Sequence, residues 1–153
     1  MADMSERLTS VFEEQGEDGA FTILQVAVCA LLIKAASADD DFQPEERAMI
    51  QGQLSQRFAM ESEKASALID SALEFLGGSN GLYACSMVLN DELDDSERES
   101  LLAMVWEIMY ADGFLHQYEE RLMRRVGPIL DIEEEDSLRI RDEVRSRMEV
   151  SPE

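Results

Sequence analysis

The sequence has few of the residues from which catalytic sites are usually built. It contains one histidine and two cysteines among 153 residues. Neither an H-E-x-x-H nor an E-x-x-H motif occurs, and no Gly-rich phosphate loop is present. Cys29 and Cys85 lie in apolar segments without a C-x-x-C pair, so we expect reduced, buried thiols. Because these absences leave little material for nucleophilic or metalloenzyme chemistry, we expect that the protein is not an enzyme.

Positive charge is also scarce. The sequence has 13 Lys and Arg residues and 34 Asp and Glu residues, which gives a formal net charge of −21. Such a surface repels nucleic acid and anionic lipid, since both are bound through cationic patches. It attracts cations or a basic protein partner instead, although acidity also serves solubility alone.

Long apolar runs are missing as well. The first twenty residues are acidic and have no apolar core of a signal peptide. The apolar stretch 20–33 is interrupted by Thr22 and Gln25 and is shorter than the roughly 20 residues that a membrane span needs. We therefore expect a cytoplasmic protein without direct membrane insertion, in which this stretch forms a buried core helix.

Helical spacing dominates what remains, and no segment shows the alternation of a strand. The pattern predicts an all-α fold, a single-domain bundle of seven to eight helices. Residues 1–19 are expected to form an N-terminal helix or tail, and residues 20–150 the helical domain. The predicted helices span residues 4–14, 21–38, 44–58, 62–75, 82–89, 94–111 and 119–130, followed by a last helix that Asp131 opens.

Several of these helices carry local start signals. Pro44 stands at a first helical position, where proline is favoured. Asp94 with Glu97 has the spacing of a capping box, and Asp131 with Glu134 repeats it. In the helix over residues 94–111 we expect Trp106 to lie to one side of a buried stripe made by Leu101, Leu102, Val105, Ile108 and Met109.

An internal repeat links two acidic loops. Residues 38–46 align with residues 111–119, and in both segments a long apolar helix ends at Ala-Asp before a new helix begins near a Glu. The aligned pairs are Asp39 with Asp112, Phe42 with Leu115, and Glu46 with Glu119. The alignment predicts a duplicated helix–acidic loop–helix unit.

The repeated carboxylates allow two interpretations. Glu46 and Glu119 would fall in the first turns of their helices, where a carboxylate complements the helix dipole by about 0.3–1 kcal/mol. Asp39 and Asp112 close the preceding helices, where a negative charge is mildly unfavourable. Aspartate is ordinary in turns. An unfavourable negative charge at the helix C-terminus in both copies nevertheless points to a functional site.

A cation site would explain the whole set. If the two units pack around a pseudo-twofold axis, Asp39, Glu46, Asp112 and Glu119 converge, and a divalent cation relieves their mutual repulsion. Oxygen ligands favour Ca²⁺ or Mg²⁺, whereas His116 as an additional ligand would favour Zn²⁺. The first loop is not an EF-hand, because its sixth and twelfth positions hold proline and isoleucine instead of glycine and glutamate.

These motifs resemble those of the TerB-like tellurite-resistance family. In that family an Ala-Asp-Gly loop is followed by an apolar residue and then by Pro-Glu-Glu or Tyr-Glu-Glu, which is similar to residues 38–46 and 110–120 here. Residues 89–98 also resemble the family's link into its sixth helix, and the likeness extends over about residues 21–138. Asp40 and Phe114 depart from the pattern, standing where the family often has glycine and an acidic residue.

The resemblance implies a helical bundle with a cation-binding acidic surface, linked to tellurite or other chemical stress and without known catalysis. It implies metal ligation by Asp39, Glu46, Asp112 and Glu119. The competing hypothesis is an interaction module whose acidic face docks a basic partner without an ordered metal. The oligomeric state is left open.

Overall fold

The computed structural model describes residues 21–36, 42–78, 80–111 and 126–147, and this part of the chain is helical without any strand. Its helices are α1 (Ile23–Ala36), α2 (Pro44–Phe58), α3 (Ser62–Leu76), α4 (Gly81–Glu92), α5 (Asp95–Ala111) and α6 (Glu134–Arg147). A helical turn over residues 126–129 adds a seventh segment. The all-α prediction is confirmed. The predicted helix 4–14 lies outside the described residues. The same holds for residues 119–125 of the predicted helix 119–130.

Helix α1 occupies the centre of the bundle. Eleven of its 14 residues are buried, and it packs against α2, α3, α4 and α5. This confirms the expectation from its nearly uniform apolar sequence. The helix begins two residues later than predicted. Thr22 caps it, since the Gln25 backbone N–H donates to Thr22 Oγ1 at 3.1 Å and the Thr22 N–H donates to Gln25 Oε1 at 2.9 Å.

The next three helices enclose α1. Helix α2 has the predicted bounds, with Pro44 at its first position, and α3 ends one residue later than predicted, at Leu76. Helix α4 extends beyond the predicted 82–89 at both ends. Its Cys85 thiol donates a hydrogen bond to the backbone oxygen of Ala27 at 3.3 Å, which places the buried side of α4 against α1.

Helix α5 begins as its sequence predicts but is buried more deeply. The Glu97 N–H donates to Asp94 Oδ1 at 2.8 Å and the Asp94 N–H donates to Glu97 Oε1 at 3.0 Å, which completes a capping box. Trp106, expected beside the buried stripe, is fully buried and stacks on Tyr110 with ring centroids 6.0 Å apart. The buried face of α5 is therefore wider than one stripe.

The predicted helix start at Asp131 is wrong. Asp131 has φ 55° and ends the preceding helical turn, while α6 begins only at Glu134. The Asp131 N–H donates to the Pro128 oxygen and the Ile132 N–H to the Gly127 oxygen, at 3.2 and 2.9 Å. These two bonds form a Schellman motif, in which Asp131 takes the left-handed position that glycine usually fills. The D-x-x-E spacing did not separate a helix end from a helix start.

Helix α6 lies alongside α5 and runs in the same direction. Arg139 contacts Glu99 at 3.0 Å and Arg147 contacts Glu107 at 2.8 Å. The later arginine on α6 thus contacts the later glutamate on α5, so the two helices are parallel. Both N-termini consequently lie at one end of the bundle. Arg145 and Arg147 occupy the last turn of α6, as predicted.

Replacement of Ala59, the residue that ends α2, by glycine is expected to stabilise the protein. Its φ is 52°, and its side chain is exposed. A Cβ in this left-handed region costs roughly 1–2 kcal/mol, part of which the greater chain entropy of glycine offsets. We expect Ala59→Gly to raise the free energy of unfolding by about 0.5–1 kcal/mol in urea titrations.

The same substitution at Ala67 is the matched control, since Ala67 is exposed inside α3. There Ala67→Gly should lower the free energy of unfolding by roughly 1 kcal/mol. A loss of stability in both variants would show that the backbone at Ala59 carries no strain.

Candidate functional site

The described residues include one of the four predicted metal ligands. Glu46 lies in the first turn of α2. Asp39, Asp112, Glu119 and the additional candidate His116 lie outside the described residues. Helix α1 ends at Ala36 and α5 at Ala111, so the helices that precede both acidic loops are present as predicted. Convergence of the two loops remains a prediction.

The Glu46 carboxylate is withdrawn from solvent. Its residue is 3% exposed and is the only charged residue in the buried set of the described chain. Oε1 accepts a hydrogen bond from the Gln43 backbone N–H at 2.8 Å, which satisfies one of the free donors at the start of α2. Glu46 therefore stabilises the start of α2 through one carboxylate oxygen. Burial of a charge is costly unless it is paired, hydrogen-bonded or metal-bound.

The side chain of Arg47, the next residue in the chain, is directed at α3. Arg47 Nη2 donates to Asp70 Oδ1 at 2.8 Å, and to Oγ and the backbone oxygen of Ser66 at 2.9 and 3.2 Å. These bonds hold the start of α2, which carries Glu46, against α3. A ligand held in this way would reach a cation with little loss of side-chain freedom.

A second acidic cluster lies at the N-termini of α5 and α6. A groove of about 320 Å³ separates the N-termini of α5 and α6, lined by Asp95, Arg98, Glu99, Asp131, Ile132, Glu133 and Asp136. Arg98 ion-pairs with Asp95 and donates to the Leu93 backbone oxygen at 2.8 Å. Sequence reasoning missed the groove because its two walls come from segments more than thirty residues apart. Helix dipoles account for carboxylates at both starts.

Neither the groove nor any other described cluster is a ready-made metal centre. Over the described residues, no group of three or more His, Cys, Asp or Glu side chains is placed to hold a metal ion. A metal site that uses Glu46 consequently depends on ligands from outside the described residues.

The two thiols are buried, as the sequence predicts. Burial raises the pKa of Cys29 to about 12, an effect that the positive charge of Arg47 opposes only in part. Burial likewise raises the pKa of Cys85 to about 12. Because the thiolate is the reactive form, neither side chain is an activated nucleophile near neutral pH.

Within the described ranges, no helix combines the length and the apolar character required to cross a bilayer.

One comparison with known proteins gave a match that covers most of the described helices. Residues 25–142, from the first turn of α1 to the middle of α6, match the family model described as tellurite resistance protein TerB. No curated protein sequence and no solved structure gave a significant match. The matched range contains both acidic loops and covers most of the 153 residues. The chain therefore belongs to the TerB tellurite-resistance family.

Proposed function

We propose that this protein is a non-enzymatic, cytoplasmic cation-binding protein of the tellurite and chemical-stress response. Its two acidic loops would bind one divalent cation through Asp39, Glu46, Asp112 and Glu119. The observation that carries the proposal is the burial of Glu46 in the first turn of α2, in a chain of net charge −21 whose other described carboxylates reach solvent. Family membership associates the chain with tellurite resistance.

Chemically, the residues form an oxygen-rich donor set. Carboxylates alone suit Ca²⁺ or Mg²⁺, and His116 would extend the preference to Zn²⁺. Glu46 Oε1 also accepts the Gln43 backbone N–H, so the proposed ligand is anchored at the start of α2. The bound ion would neutralise the repulsion between the two loops and so join the two helical units.

Calorimetric titration of chelator-stripped protein with Ca²⁺, Mg²⁺ and Zn²⁺ tests the proposal. We expect saturable, near-stoichiometric binding that Asp39→Asn/Asp112→Asn abolishes. Because binding stabilises the folded state, a saturating ion at 100 times Kd should add about 2.7 kcal/mol to the free energy of unfolding. The preferred ion decides whether His116 participates.

Two further variants sharpen the titration. Asp91→Asn/Asp142→Asn removes the same charge from exposed positions on α4 and α6, and it should bind the ion as the parent does. Glu46→Gln keeps an oxygen that can accept the Gln43 N–H but removes the charge. It should retain the helix start, seen as unchanged circular dichroism, while affinity falls about tenfold or more.

The net charge of −21 favours a second candidate function, an acidic interaction module that docks a basic partner without an ordered metal. Weak, unsaturable heats that the double variant leaves unchanged would contradict the cation proposal and support this one. Partner binding would then weaken with salt and be indifferent to a chelator.

A further inference from the structure

Helix α6 is divided into an acidic half and a basic half. Its residues 139–147 carry four arginines against Asp142 and Glu143, a net charge of +2, in a chain that has 13 basic residues altogether. The other half of α6 is acidic, with Glu134, Glu135 and Asp136 in the first turn. The C-terminal half is therefore a basic segment attached to a strongly acidic body.

Polar contacts join this segment to α5 beside its two buried apolar residues, Ile140 and Val144. Arg139 donates to Glu99 at 3.0 Å, Arg147 contacts Glu107 at 2.8 Å, and Arg145 Nε donates to the Tyr110 hydroxyl at 3.4 Å. The side chains of Arg139 and Arg147 are 45% and 57% exposed, and those of Glu99 and Glu107 are 35% and 17% exposed, so solvent ions reach both pairs from the arginine side. Exposed pairs of this kind are weakened by salt.

The apolar part of the same contact is small. Helix α6 buries Ser137, Ile140 and Val144 among its 14 residues, whereas α1 buries 11 of 14. The Ser137 hydroxyl is buried and has no hydrogen-bond partner within the described residues, which opposes docking. Among the described helices, α6 makes its main contact with α5. Few apolar contacts and solvent-exposed backbone bonds are typical of segments that open locally.

We propose that residues 139–147 of α6 form an electrostatic latch, which is released from α5 as ionic strength rises while the remaining bundle stays folded. The two parts of the protein respond to salt with opposite signs. Salt screens the mutual repulsion of the acidic body and stabilises it, and the same screening removes the attraction that holds the basic segment. Release uncovers Glu99, Glu107 and the Tyr110 hydroxyl on α5.

Hydrogen exchange followed by mass spectrometry tests the latch. Exchange is compared at about 0.01 M and about 1 M sodium chloride, where the Debye length falls from about 30 Å to about 3 Å. Peptides from the C-terminal half of α6 should exchange roughly tenfold faster at high salt, as expected for the loss of several exposed ion pairs. Peptides from α1 should exchange at the same rate or more slowly.

Matched arginine variants separate the latch from general charge effects. Arg139→Gln/Arg147→Gln removes both pairs with α5, and its α6 should exchange at low salt as fast as the parent's does at high salt. Arg57→Gln removes the other partner of Glu107, a 3.3 Å pair with α2, and should leave α6 exchange unchanged. Trp106, the only tryptophan, should keep the emission of a buried indole throughout.

Three results would overturn the proposal. The first is α6 exchange that is as slow as that of α1 and indifferent to salt. The second is equal acceleration of α1 and α6 at high salt, which would mean that the bundle opens as one unit. The third is an Arg139→Gln/Arg147→Gln variant whose α6 remains protected.

Discussion

Replacement of Trp106 by alanine is expected to lower the free energy of unfolding by about 3–5 kcal/mol, the largest effect of any single substitution considered for this chain. The indole is fully buried on α5 and stacks on Tyr110 at 6.0 Å. Its removal loses apolar burial and leaves a cavity that the surrounding helices fill only in part. Because the variant lacks tryptophan fluorescence, urea unfolding is followed by circular dichroism at 222 nm.

Trp106→Phe is the control for this prediction. It keeps an aromatic ring against Tyr110 and removes the indole N–H, for which the described residues provide no hydrogen-bond acceptor. Since that donor is buried without compensation, its loss offsets part of the cavity cost, and we expect a decrease of roughly 1–2 kcal/mol. An alanine variant no less stable than the phenylalanine variant would contradict the central position of Trp106.

Replacement of Gly81 by alanine is expected to lower the free energy of unfolding by about 1–3 kcal/mol, which corresponds to roughly 2–4 °C in Tm for each kcal/mol. A Cβ at Gly81 would overlap the Leu76 backbone oxygen and would lie 2.7 Å from the Leu76 carbonyl carbon and Cα. These are backbone atoms, so no side-chain rotation relieves the overlap. The end of α3 and the start of α4 must move apart.

Gly52→Ala is the matched control, because a Cβ at Gly52 meets nothing within 4 Å and the residue is exposed inside α2. There alanine should raise stability by about 0.5–1 kcal/mol through its higher helix propensity. Thermal unfolding of the two variants side by side distinguishes close backbone approach from propensity. Similar gains in both would show that the turn between α3 and α4 accommodates a side chain at Gly81.

The candidate cation site was predictable as a pattern but not as a geometry. The repeat of Ala-Asp before a new helix pointed to Glu46 and Glu119, and the first-turn position of Glu46 is confirmed. Its 3% exposure was not evident from the sequence, since burial depends on what packs over the start of α2. Asp39, Asp112, Glu119 and His116 lie outside the described residues, and their roles remain predictions.

The sequence by itself determined the all-α class, the family, the central position of α1 and most helix bounds. These properties follow from helical periodicity and from caps such as Asp94 with Glu97, which act over three or four residues. Its prediction of a helix start at Asp131 was wrong, because the same D-x-x-E spacing occurs at a helix start and in the Schellman turn found here. Local signals of this kind identify helices without specifying their neighbours.

The tertiary structure alone decided which distant groups meet. It placed Gly81 against the Leu76 backbone, Arg139 and Arg147 beside Glu99 and Glu107, and the Trp106 ring inside the core. Each contact depends on the angle and register at which two helices pack, and these are set by many side chains together. A single sequence carries that information only through the whole core, so the ion pairs on which the proposed latch rests could not be predicted from α5 and α6 taken separately.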